Sequence, residues 1–179
     1  MAELALAAIA VLVLLSWLLL AIAGVRRLRQ RQRPLAVLDG SNVMHWKDGK
    51  PQIDTVIGVL RLLDRLGYES GVVFDANAGY LLADRYMNAD EFRKQLGLTG
   101  SRVLVVPKGE QADPFLLRFA SKSNAVIVSN DRFRDRIADF PLMAGPGRLV
   151  RGGCRQDGLW LDLPAAANPA RKPGRRAAQ

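Results

Sequence analysis

Five aspartates carry the chemistry that this sequence suggests. Asp39 closes the apolar run Leu35-Ala36-Val37-Leu38, and Asp75 closes Gly71-Val72-Val73-Phe74. Val103-Leu104-Val105-Val106 leads through Pro107-Lys108-Gly109-Glu110 to Asp113. Ala125-Val126-Ile127-Val128 runs into Ser129-Asn130-Asp131, with Asp135 four residues on. Each acid has a structural explanation. Asp39 before Gly40 suits a turn, Asp113 before Pro114 suits a helix N-cap with proline at N1, Asp131 suits a cap, and Asp135 a solvated surface. Several carboxylates converging at one edge of a sheet repel each other unless a cation neutralises them. Carboxylates with open water positions are how a Mg²⁺ or Mn²⁺ site is built, with substrate phosphate completing the shell. On a helix, Asp131 and Asp135 at i, i+4 would face the same way.

The elements that must position these acids follow from the apolar pattern. Runs of four apolar residues alternate with helical segments. The helices expected are Thr55 to Leu66 (ended by Gly67), Ala89 to Leu96, Pro114 to Lys122 and about Arg132 to Ala138. Arg148-Leu149-Val150 and Gly158-Leu159-Trp160-Leu161 would close an edge. Such alternation implies a three-layer α/β/α domain with a mostly parallel sheet, over residues 35–163. In these folds ligands bind beyond the carboxyl ends of the strands, where the acids fall.

Ahead of that domain, Leu4 to Val25 carries no charge, and Ser16 is its one polar side chain. About 20 apolar residues span a bilayer. Arg26, Arg27, Arg29, Arg31 and Arg33 follow at once, and positive charge stays on the cytoplasmic side. Residues 1–25 therefore read as a single-pass anchor and 26–34 as a basic juxtamembrane linker. The N-terminus would lie outside and the following domain in the cytoplasm. A cleaved signal peptide is the competing reading, since Ala21-Ile22-Ala23 resembles a cleavage site. The tail, 164–179, reads as a basic disordered extension. The net charge of +9 is concentrated outside the domain, with +4 in residues 1–33 and +4 from Pro164 onward, so it is not a mark of a nucleic-acid-binding surface.

One cysteine, Cys154, and one histidine, His45, exclude an intramolecular disulfide and a Cys- or His-rich metal site. The loop Asp39-Gly40-Ser41-Asn42-Val43 lacks the second acid of an Asp-x-Asp phosphatase and the hydroxyl of an adhesion-type site. Neither a Rossmann loop, nor a P-loop, nor Gly-x-Ser-x-Gly occurs.

Asp39-Gly40-Ser41-Asn42 after a strand resembles the opening motif of NYN domains, a branch of the PIN-like nucleases. Val73-Phe74-Asp75-Ala76, Ala112-Asp113 and Val128-Ser129-Asn130-Asp131-Arg132-Phe133-Arg134-Asp135 are similar to later motifs of that family, the last especially to its Zc3h12a-type ribonuclease branch. The resemblance runs from about Leu35 to Val150. It implies a divalent cation, Mg²⁺ or Mn²⁺, and endonucleolytic cleavage of single-stranded RNA. Asp39, Asp113, Asp131 and Asp135 would be the catalytic, metal-binding tetrad, with Asn42, Ser129, Asp75 and Glu110 in support. One departure is that the branch often has two adjacent acids where this chain has Ala112-Asp113. Lys108, Arg132 and Arg134 would hold flanking RNA phosphates. Phe133 and Trp46 read first as core and second as base-stacking rings. The alternative is a module of the same fold that binds RNA, or scaffolds, without turnover. A homo-oligomer is compatible with either.

Overall fold

The computed structural model describes residues 14–20, 22, 24 and 33–163. The chain divides into two units, Met1–Arg33 and Pro34–Gln179. In the first, residues 14–20, 22 and 24 are helical and exposed. Most of the expected span (4–25) and of the basic linker, and the whole of the expected tail, lie outside the described residues. Among the described residues no helix is long and apolar enough to cross a membrane.

The second unit is built on five parallel strands: β1 (Leu35–Asp39), β2 (Glu69–Phe74), β3 (Val103–Val105), β4 (Val126–Val128) and β5 (Leu149–Val150). Their order across the sheet is β3-β2-β1-β4-β5. Between them run α1 (Gly40–Val43), α2 (Ile53–Arg65), α3 (Ala78–Ala83), α4 (Ala89–Leu96) and α5 (Ala112–Ser123). Alternate strand residues point to opposite faces, and both faces are buried here. Ala36, Leu38, Val72 and Phe74 pack with Val56, Val59, Leu63 and Phe92 of α2 and α4. Val37, Val73 and Ile127 pack with Leu116, Leu117 and Ala120 of α5. Two cores on one sheet make the expected three layers and explain why the strands read as unbroken apolar runs.

Local chemistry sets several boundaries. After α2, Gly67 adopts φ +85°, and the N–H groups of Gly67 and Tyr68 donate to the Asp64 and Leu63 carbonyls, a Schellman ending that needs a residue free of Cβ. Asn88 and Glu91 form a capping box on α4.

Three expectations are corrected. The helix foreseen from Arg132 to Ala138 is absent. Residues 131–133 take no regular structure, and a turn and two short 3₁₀ helices follow, Ile137–Asp139 and Pro141–Ala144. Leu149–Val150 does close the sheet edge, but Gly158–Leu161 pairs antiparallel with Gly152–Arg155 in a separate hairpin, β6-β7. Helix α5 starts at Ala112 with Gln111 as N-cap, so Asp113 is not the cap and Pro114 is the third helical residue. Helix α3 was not expected at all.

Candidate active site

The chain runs β1 to β2 to β3 outward, then returns to lay β4 on the other side of β1. The direction of strand order reverses between β1 and β4, which is where a parallel sheet opens a crevice at its carboxyl end. Asp39 ends β1 there, and Ser129-Asn130-Asp131 leaves β4 beside it.

Asp39 is buried at 6 % exposure. It is not a turn residue but the N-cap of α1, its Oδ1 accepting from the Asn42 N–H at 3.1 Å. Gly40 follows because α1 lies on β2. A Cβ at Gly40 would overlap the Phe74 ring and sit 2.7 Å from a Val72 methyl. The other Asp39 oxygen accepts from Ser129 Oγ at 2.8 Å, and that hydroxyl accepts in turn from the Asp131 N–H at 3.0 Å. Asp131 Oδ1 then accepts from the Phe133 N–H at 2.7 Å. This closed turn holds Phe133 at φ +50°, with its ring buried in the α5-side core. A buried phenylalanine in the left-handed region is strained, and it persists because the turn and the core both require it.

A second chain of bonds runs through amides. Asn42 Oδ1 accepts from Trp46 Nε1 at 2.8 Å and from the Asn130 N–H at 3.1 Å. The Asn130 side chain pairs with the Gly152 backbone, donating at 3.0 Å and accepting at 3.2 Å. The hairpin is thereby tied to the β4 end. On the other flank, Ser41 Oγ accepts from the Asp75 N–H at 2.8 Å, and Asp75 Oδ1 accepts from the Ala112 N–H at 3.0 Å. Gln111 makes no side-chain cap bond, so Asp75, delivered from β2, satisfies the first amide of α5. Asp113 follows on the same first turn.

Burial is the largest cause raising the Asp39 carboxyl to about 6. The bonds from Ser129 and Asn42 oppose that shift, and the charges of Asp113 and Asp75 add to it. Asp113 is also raised, first by burial and then by the charges of Asp131 and Asp75, against the pull of Arg136. Four acids on four chain segments thus share one field. Asp135, in the turn after Phe133, is exposed and is not among the charges that raise Asp39 or Asp113. Without a helix, the same-face argument for Asp131 and Asp135 lapses.

Among the described residues no three acidic, histidine or cysteine side chains come close enough to hold a cation between them. The donors are nevertheless all hard oxygens, and their mutual repulsion is what a divalent cation relieves. Mg²⁺ keeps several waters and uses one or two carboxylates plus substrate phosphate, so this donor set fits a hydrated hard cation rather than a closed protein cage.

Other expected site residues lie around this group. The Asn42 backbone N–H and the Ser129 hydroxyl hydrogen-bond Asp39. Lys108 and Glu110 stand in the exposed turn after β3, on the Asp75 side. Arg132 and Arg134 are exposed on either side of Phe133. Phe133 is core and so not offered to a base, and Trp46 is half-buried against the α2-side core with its indole N–H donated to Asn42. Ser41 and Asn130 went unsingled in the sequence, although both sit inside the motifs that marked the site.

The chain matches the family model of the Zc3h12a-like ribonuclease NYN domain over residues 32–144. No curated protein matches its sequence significantly. Among solved structures, two of the nuclear proteinaceous RNase P 2 from A. thaliana share the fold. One has TM-score 0.56 at 18% identity, covering 72% of this chain and 29% of that one. The other has TM-score 0.55 at 20% identity, covering 83% and 35%. The chain therefore spans only about a third of those proteins. From its acid-bearing strand ends to its matched motifs, the chain belongs to the Zc3h12a-like NYN ribonuclease family.

Proposed function

We propose that this protein is a metal-dependent endoribonuclease that cleaves single-stranded RNA at the cytoplasmic face of a membrane. The observation that carries the reading is the gathering of Asp39, Asp75, Asp113 and Asp131 at the strand-order switch point, where burial, and after it the charges of Asp113 and Asp75, raise the Asp39 carboxyl to about 6. Carboxylates that raise one another's pKa at the mouth of a crevice mark a functional site, since a structural role would be served by fewer charges.

In this reading Asp39, Asp113 and Asp131 hold the cation, directly or through water. Ser129 and the Asn42 amide fix the Asp39 carboxylate, and Ser129 links it to the Asp131 backbone. Asp75 keeps the first turn of α5, and so Asp113, in place. What Mg²⁺ or Mn²⁺ supplies when bound is a bound water of lowered pKa and a counter-charge for the phosphate under attack. Arg132, Arg134 and Lys108 contact flanking phosphates. Asp135 is assigned only by its place in the motif. The anchor is residues 4–25, argued from their apolarity and from the arginines behind them.

The competing reading, an RNA-binding module without turnover, draws on the absence of any three-acid convergence among the described residues. The full chain, given labelled single-stranded RNA with and without Mg²⁺ or Mn²⁺, separates the two. Internal cleavage that needs the ion and disappears in Asp39→Asn and Asp131→Asn supports the nuclease. Bound but intact RNA under all conditions rejects it.

A further inference from the structure

Beside the acids, on the Asp75 flank, lies a pocket of about 370 Å³ lined by Asp75, Asn77, Tyr80, Tyr86, Lys108 and Glu110. That volume is within the range of small-ligand sites. Tyr80 and Tyr86 are 54% and 51% exposed, so two large rings stand in water at its wall. Their placement is enforced. A Cβ at Gly79 would lie 2.7 Å from the Arg85 carbonyl oxygen, so only glycine lets the 85–87 segment lie against α3. Arg85 is held by Glu91 at 2.6 Å, and Met87 is fully buried. Tyr86 is therefore an exposed ring on a segment pinned at both neighbours. Across the pocket, Gly109 at φ +90° turns the chain so that Lys108 and Glu110 line the facing wall.

We propose that this pocket binds one unpaired base of the RNA, with guanine preferred, next to the phosphate that the acids address. The proposal rests on the ribonuclease reading and adds a specificity-determining site to it. A phosphate does not suit the pocket, because Asp75 and Glu110 outnumber Lys108. A neutral base does, since its faces stack on tyrosine and its edge meets fixed donors and acceptors. Guanine presents an acceptor, O6, beside two donors, N1–H and the N2 amino group. Those match one ammonium and one carboxylate, Lys108 and Glu110, better than the edge of any other base. Asn77 adds an amide at the rim. The bound base would also place its backbone beside Asp75, whose charge bears on both Asp39 and Asp113.

The test is binding of the full chain, in detergent and EDTA, to labelled decauridylate carrying one central guanosine, adenosine or cytidine. Anisotropy should show tightest binding to the guanosine oligonucleotide. Tyr80→Ala and Tyr86→Ala should each weaken it about 5- to 150-fold, the worth of one lost base–aromatic stack, while Tyr80→Phe and Tyr86→Phe stay within about twofold of wild type. Lys108→Ala should flatten the differences among bases. Wild-type affinity in both alanine variants overturns the pocket, as does equal loss in the phenylalanine variants. Indifference to the central base, or preference for another one, overturns the guanine assignment. Cleavage with Mg²⁺ is scored separately on the same RNAs. The expected binding pattern without cleavage rejects the nuclease reading alone, and cleavage with unaffected alanine variants rejects the pocket alone.

Discussion

Asp39→Asn should make the metal-free protein more stable at neutral pH, an advantage that vanishes in acid. Burial and the charges of Asp113 and Asp75 raise the Asp39 carboxyl from 3.8 to about 6. The folded state therefore takes up a proton at higher pH than the unfolded chain does. Above pH 6 the folded protein carries the unfavourable charge. As pH falls from 6 towards 3.8 that cost is relieved, and below 3.8 both states are protonated. A shift of about 2 units corresponds to ~3 kcal/mol, gained on acidification. Asparagine never carries the charge. Its amide resembles the protonated carboxyl in offering one good acceptor oxygen where the carboxylate accepts from both the Asn42 N–H and Ser129 Oγ, bonds already netted in the shift. At pH 7.5 the variant should thus be ahead by up to ~3 kcal/mol, and near pH 4 about level with wild type. The assay is urea unfolding in EDTA from pH 4 to 7.5, read as the difference between variant and wild type so that other carboxylates cancel. A difference that does not vary with pH would refute the argument. With Mn²⁺ at a hundred times its dissociation constant, wild type should regain about 2.7 kcal/mol at pH 7.5, and the variant much less.

Asp75→Ala leaves the first amide of α5 without its acceptor and should cost about 1 kcal/mol, whereas Asp75→Asn keeps an acceptor oxygen and should cost a few tenths, both by chemical denaturation. Gly40→Ala drives a methyl into the Phe74 ring and should lose about 1–3 kcal/mol, with cleavage falling as Asp39 is displaced. Asn130→Ala removes both bonds to Gly152 and should selectively raise amide exchange in residues 152–161. A reporter fused after Gln179 should be active in the cytoplasm and silent outside it, and the reverse would overturn the proposed topology.

The alternation of apolar runs with amphipathic segments was enough to announce a parallel sheet buried on both faces, because each short run must find cover above and below wherever it lies. The acids were legible for the same reason, since each directly follows a run whose end is visible locally. The cap at Asn88 is equally local, its partners lying two and three residues away. The apolar stretch before Arg26 speaks from sequence alone. What no local pattern contains is adjacency. Asp75 caps α5 across 37 positions, Ser129 reaches Asp39 across 90, and Asn130 reaches Asn42 across 88. The last two pairs exist because β4 returns to the far side of β1, and the first because β3, which leads into α5, lies beside β2. The same closure overrode the helical spacing after Asp131. There, burying Phe133 against α5 while Asp131 accepts its amide favoured a strained turn over a helix. Nothing local marks Tyr80 and Tyr86, whose segments Gly79 brings together, since close approach of two backbones is a property of the packed molecule and not of either stretch of chain.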